Sequence, residues 1–262
     1  MDSWKRRWVE LSWRAAAGII VSICFLTAAG MCAISQFREG ALFSRAAIQG
    51  HAIDLTSQPA ASMGEPVAAN WFPIPDWLAG TWHSDSELVL DAYDYREAST
   101  PSDLPAKLDV KRDSVIGMQQ DRKGRIWYCA STPFERIVEG GSFADRQRME
   151  KIVLLENSPS EVRVDCLATV TRMDACSGEI LNQFYEETVT NYQPMADDRI
   201  QVTFLVTDYD EQGLPLYRSK AICTETRVKP FVAVDQDQRG DLQLQFRNCL
   251  IASGLSQLTY KD

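Results

Sequence analysis

From position 82 onward, apolar and polar residues alternate with a period of two, and helical periodicity is scarce. The sharpest stretch is 161–172, where Val162, Val164, Cys166, Ala168 and Val170 share one face and Arg163, Asp165, Thr169 and Thr171 the other. Ile200, Val202, Phe204 and Val206 alternate with Gln201 and Thr203 in the same way. Leu242, Leu244 and Phe246 alternate with Gln243, Gln245 and Arg247. Turn-forming residues separate these runs: Asp121-Arg122-Lys123-Gly124, Asn157-Ser158-Pro159-Ser160, Asp174-Ala175-Cys176-Ser177-Gly178 and Glu211-Gln212-Gly213. The pattern predicts strands over 82–93, 114–120, 125–131, 135–139, 150–156, 161–172, 179–192, 200–206, 215–228 and 242–247. It also predicts a loop over 94–107 and one helical turn over 142–148. A row of about nine or ten antiparallel strands on short turns must close or fold over to hide its edges. The expected fold is therefore mainly β, an antiparallel up-and-down barrel.

Positions 1–54 have a different character. Lys5, Arg6, Arg7 and Arg14 precede a charge-free apolar run over 15–33. Such a run spans roughly 28 Å as a helix, enough to cross a bilayer. The basic flank sets the N-terminus in the cytoplasm and sends the rest across. A cleaved signal peptide competes with an uncleaved anchor, because Thr27-Ala28-Ala29 offers small residues for cleavage. Helical composition over 36–53 extends the anchor, 55–70 reads as a linker, and 71–262 reads as the folded domain. The expected setting is a single-pass membrane protein with its bulk in the periplasm or a thylakoid lumen.

Charge and cysteine usage narrow the function classes. The net charge is −9, and leaving out the basic N-terminal flank makes the remainder more acidic, which argues against a nucleic-acid partner. Five cysteines lie beyond the apolar run: Cys129, Cys166, Cys176, Cys223 and Cys249. They form no CxxC pair, and His51 and His83 are the only histidines, so a Cys/His zinc site is not expected. An exported setting predicts at least one disulfide among Cys129, Cys166, Cys223 and Cys249, with Cys176 exposed in its turn and unpaired. Asp208-Tyr209-Asp210-Glu211-Gln212-Gly213 looks like the start of a calcium loop, but the twelfth position is Ser219 instead of a carboxylate. No Ser-His pattern, phosphate loop or dinucleotide fingerprint is present, and Glu186-Glu187 on a strand point to opposite faces. No metal or cofactor is expected.

The rest of the chain is organised around Trp77-Leu78-Ala79-Gly80-Thr81-Trp82, which follows a proline-punctuated approach over 71–76. Gly80 lets the backbone bend tightly between the two indoles. Trp77 and Trp82 are expected to plug the closed end of the barrel, with His83 pointing away, and Trp127 is a further floor or cup candidate. At Gly80-Thr81-Trp82 the chain resembles the lipocalin-type, or calycin, barrels, whose first strand opens with G-x-W. Thr207-Asp208-Tyr209 matches the T-D-Y motif that those barrels carry near a later turn. Members place an Arg from the last barrel strand over the motif Trp, and Arg227 and Arg247 are the candidates. Gly80 and Thr207 lie 127 residues apart, longer than usual for the family. The resemblance covers roughly 71–260 and extends to membrane-anchored lipocalin-like proteins of cyanobacteria and chloroplasts. It implies a fold and a setting, and no established activity.

These readings lead to a non-catalytic role: binding a small apolar ligand such as a lipid, pigment or quinone, or assisting a membrane complex. Burial in a preformed cup would drive binding at about 25 cal/mol per Å². The alternative is a protein-interaction module with a filled barrel. An enzyme acting on an isoprenoid or lipid comes third. A continuous internal cavity favours the first, and paired buried carboxylates at its mouth favour the third.

Overall fold

The computed structural model describes residues 68–259, apart from 110, 140–141 and 238–239. The anchor or signal segment over 1–54 and most of the 55–70 linker lie outside the described residues. Among the described residues, no helix is long and apolar enough to cross a membrane.

The domain is mainly β, and every strand pair is antiparallel. The chain runs through β1 (Ala68–Ile74), β2 (Gly80–Ser84), β3 (Glu87–Asp94), β4 (Ala106–Leu108), β5 (Arg112–Ile116), β6 (Gln119–Gln120), β7 (Ile126–Thr132) and β8 (Phe134–Glu139). It continues through the long strands β9 (Phe143–Asn157), β10 (Val162–Asp174), β11 (Ile180–Pro194), β12 (Arg199–Tyr209) and β13 (Pro215–Lys229). A short hairpin, β14 (Gln236–Asp237) and β15 (Gly240–Asp241), leads into α1 (Leu242–Ala252). The large sheet has the order β4-β3-β13-β12-β11-β10-β9-β8, and β2 bridges β13 to β5. A second sheet has the order β1-β7-β6.

The expected closure is not a continuous ring of paired strands. The ladder of the large sheet ends at β4 and β8. Two strand runs break where the chain passes from one sheet to the other. At Gly117, with φ +92°, an added Cβ would meet the Ile126 side chain at 2.9 Å, so the bend between β5 and β6 requires glycine. Pro133, with no N–H to donate to a ladder, separates β7 from β8.

The alternation over 161–172 is present as read: Val162, Val164, Cys166, Ala168 and Val170 are all buried on β10. Ile200, Val202, Phe204 and Val206 are likewise buried on β12. Three local expectations are corrected. The proline-punctuated approach is a strand, β1, with Pro73 paired opposite Trp127. The expected helical turn over 142–148 is the start of β9, whose inward residues Phe143, Asp145 and Gln147 hold a strand period. The expected strand over 242–247 is a helix. Leu242, Phe246 and Leu250, four apart, are its buried positions, and Asp241 caps it by accepting from Leu244 N at 2.7 Å. Alternation over six residues did not distinguish the two periods.

The organising stretch is a tight knot. Trp82 is 1% exposed, and its Nε1 donates to Leu78 O at 2.8 Å. Arg227 of β13 lies over the Trp82 ring at 4.8 Å, and its Nη2 donates to Trp77 O at 2.6 Å. Gly80 has φ +145°, and a Cβ there would meet Lys229 O at 2.8 Å. Only glycine allows β2 and β13 to approach this closely. Trp82→Ala is expected to cost roughly 3–5 kcal/mol, and Gly80→Ala to destabilise through backbone strain and the clash with β13. Thermal unfolding measures both, and unchanged melting of Trp82→Ala would place the indole outside the core.

Candidate functional site

The inward faces of the long strands are not purely apolar. The same period that buries Val170 also buries Arg172, and the period that buries Phe184 also buries Glu186. Asp208 follows Phe204 and Val206 inward on β12, and Glu225 follows Ala221 and Cys223 on β13. These side chains form two arginine-centred groups.

In the first, Arg112 pairs with Glu87, and its Nη2 donates to Glu225 Oε1 at 3.2 Å and to Cys223 Sγ at 2.9 Å. Its guanidinium lies 4.6 Å from the centre of the Phe204 ring. Ser114 Oγ donates to Glu225 Oε2 at 3.2 Å. Burial pushes Glu87 up to about 7 against the pull of Arg112, and burial raises Glu225 as well.

In the second, Arg172 grips Asp145 with two parallel bonds of 2.7 Å each, from Nε to Oδ1 and from Nη2 to Oδ2. Its guanidinium is also 4.3 Å from the Phe143 ring. Arg136 Nε donates to Gln147 Oε1 at 2.7 Å. Glu186 and Asp208 are direct cross-strand partners between β11 and β12. Burial first, and then the neighbouring Asp208, pushes Glu186 well above the usual carboxylate range. Burial pushes Asp208 up to about 8, with Asp145 adding to the rise and Arg172 opposing it.

Among the described residues, the crevices beside these groups are small. The crevice lined by Arg136, Glu186, Cys166 and Phe134 holds about 20 Å³, and one lined by Asp208, Asp94, Arg96 and Tyr217 about 30 Å³. Each has room for a water and not for a lipid. The spacious concavities lie against the last part of the chain. A groove of about 400 Å³ runs between α1, β6 and the segment over 230–235. Gln119, Gln120 and Gln243 line it with Asp235, Asp241 and Arg247, above an apolar base of Phe246, Leu250 and Leu258. Across the same segment, Gly80, Thr81, Ile116 and Phe231 line a crevice of about 190 Å³.

The sequence-derived candidates fall around this end. Trp77, Gly80, Trp82 and Arg227 form the knot already described. Trp127 packs under the helix, 5.5 Å from the Phe246 ring, and its Nε1 donates to Asp121 Oδ2 at 3.0 Å. Arg247 is on α1 and lines the groove, away from Trp82. His83 lies on the outside, its Nδ1 2.7 Å from Asp113 Oδ1 and its Nε2 3.1 Å from Asp85 Oδ1. Hydrogen bonds to Asp113 and Asp85 raise its pKa. The Asp208–Gly213 segment is a hairpin turn: Asp210 Oδ1 accepts from Gln212 N and Leu214 N, while Asp208 turns inward. The expected disulfide is corrected. Cys129, Cys166, Cys176, Cys223 and Cys249 are all free, Cys166 is buried, and Cys176 is exposed. Cys129, Cys166 and Cys223 lie on β7, β10 and β13 and Cys249 on α1, and Cys223 Sγ accepts from Arg112 Nη2.

Sequence reading missed the interior charges. Their signal was a charged residue sitting in phase with an apolar face, as Glu186 is with Phe184. Arg112→Met would leave Glu87 and Glu225 buried without a cation and is expected to cost about 3–5 kcal/mol. Both carboxyls have raised pKa values, so the penalty should shrink in acid, where they are neutral, and grow as pH rises past about 7. Denaturant unfolding at two pH values measures this, and an equal penalty at both would show that the charges are solvated. Comparison with family models, curated proteins and solved structures gave no match, so the geometry alone carries the functional reading.

Proposed function

We propose that the domain is a non-catalytic binding module whose ligand lies outside the strand interior, in the groove between α1 and β6. The carrying observation is the contrast in space: about 400 Å³ in the groove against about 20 and 30 Å³ in the interior crevices. A ligand-sized pocket with an apolar base and a few polar groups is what a small molecule needs. Exposed Leu244 and Ala233, over the buried Phe246, Leu250 and Leu258, present an apolar face, and the Gln243 amide offers donors to a polar edge beside Arg247. A small amphipathic lipid, pigment or quinone fits this chemistry. Gly80-x-Trp82 with Arg227 over the ring supports reading the fold as a lipocalin-like barrel with an open ladder. The filled interior supports a second reading, in which the groove receives a protein partner, including a membrane complex.

Binding of the neutral probe Nile red to the full chain tests the groove. Wild type should brighten the probe, with a short-chain quinone or lysophosphatidylcholine displacing it. Ala233→Trp, at an exposed position on the groove wall, should weaken probe binding at least about tenfold, as the loss of a pocket requires. Thr190→Ala, in the interior crevice, should leave binding unchanged. Equal binding by Ala233→Trp would move the site elsewhere, and no binding by wild type would favour the protein-partner reading.

The membrane setting belongs to the same proposal and rests on the basic flank and the apolar run over 15–33. A reporter active only outside the cytoplasm, fused after Asp262, should be active. Activity of a cytoplasm-only reporter at that point would reverse the topology.

A further inference from the structure

We propose that Glu186 and Asp208 hold a single proton between them in the folded domain, and that this proton keeps the β11–β12 wall closed. The argument is a charge balance in a dry space and is independent of the groove reading. Glu186 and Asp208 face each other across adjacent strands and are 3% and 2% exposed. The groups around them come from every packed element: Asp145 and Gln147 on β9, Cys166 and Arg172 on β10, and Arg136 on β8. On the Asp208 side are Tyr217 on β13 and Asp94 and Arg96 at the end of β3.

Arg172 makes two bonds to Asp145 and also acts on Glu186 and Asp208. Among the described residues of this group, two buried arginines, Arg136 and Arg172, therefore face three buried carboxyl groups, Asp145, Glu186 and Asp208. With Glu186 and Asp208 both anionic the group carries one excess negative charge, and with both neutral one excess positive charge; both are unfavourable in a low-dielectric interior. One proton shared by the pair removes the imbalance. Asp208 Oδ1 has no hydrogen-bond partner among the protein groups and borders a water-sized cavity, so a path for proton exchange exists on its side. Glu186 borders the other crevice.

The sign of the pH dependence follows. Burial raises both carboxyls, so the pair holds its one proton more tightly in the folded chain than either group does in the unfolded one. Their stabilisation is complete in acid, below the ordinary carboxylate range, and is lost as pH rises through about 8 for Asp208. Above that, adjacent anions repel across the β11–β12 register and loosen the wall.

Denaturant unfolding of the full chain between about pH 5 and about pH 9 tests this. The wild-type ratio of folded to unfolded chain should fall as pH rises. Asp208→Asn and Glu186→Gln should each remove one linked proton, so that the fall becomes about tenfold shallower per pH unit. The double variant should be less stable than either single one, because Arg136 and Arg172 then exceed the remaining carboxylate, Asp145, by one buried charge. Wild-type slopes in both single variants, or a double variant more stable than both, would overturn the shared proton. Should the variants fail to fold, infrared spectroscopy of the Glu87→Gln protein gives a second reading, since Glu87 also holds a proton near neutrality. The carbonyl band of a protonated carboxyl should be present at neutral pH and vanish in alkali, and its absence at neutral pH would overturn the proposal.

Discussion

The pairing of buried arginines with buried carboxylates is the constraint on which the rest of this domain depends. Arg172 with Asp145 and Arg112 with Glu87 and Glu225 lie on the inward face, where a sheet protein ordinarily places Val, Ile and Phe. A buried ion pair adds little net stability over a well-packed apolar pair, yet removing one partner is severe. Arg172 and Asp145 sit opposite each other on the paired strands β10 and β9, while Arg112 on β5 reaches across to β3 and β13. The pairs therefore fix which strands face each other and in what register, since a one-residue slip would turn every charge outward.

The aromatic rings are part of the same arrangement. Phe204 lies against Arg112, and Phe143 against Arg172, so each guanidinium is held between carboxylates and a ring face. At the Gly80 end the theme repeats with less burial. Arg227 spans from the Trp82 ring to the Trp77 carbonyl and ties β13 to the turn ahead of β2. Three strands of separate origin are thus each anchored by one arginine.

Filling the interior with charge has a consequence for where free space lies. The crevices beside the buried charges hold about 20 and about 30 Å³, room for a water each. The concave surface is instead built by the segment after β13, which leaves the sheet at Pro230 and returns as α1 against Trp71 and Trp127. The groove owes its shape to that departure.

The alternation of residues determined most of the sheet: the faces of β10 and β12 and the hairpin turns at Asp121, Asn157, Asp174 and Glu211 were legible because a strand's side-chain period is local. Gly80, Trp82 and Arg227 were legible as a set, though the choice between Arg227 and Arg247 was not. That choice depended on whether 242–247 is a strand, and a short apolar run fits both periods until Asp241 caps it and Phe246 finds Trp71 and Trp127. Only the tertiary structure decided that Glu186 meets Asp208, that Arg112 meets Glu225, and that the free space lies beside α1. Arg112 and Glu225 are far apart in the chain, Glu186 meets Asp208 only through the β11–β12 register, and the cost of a buried charge without a partner exists only once the strands have assembled around it.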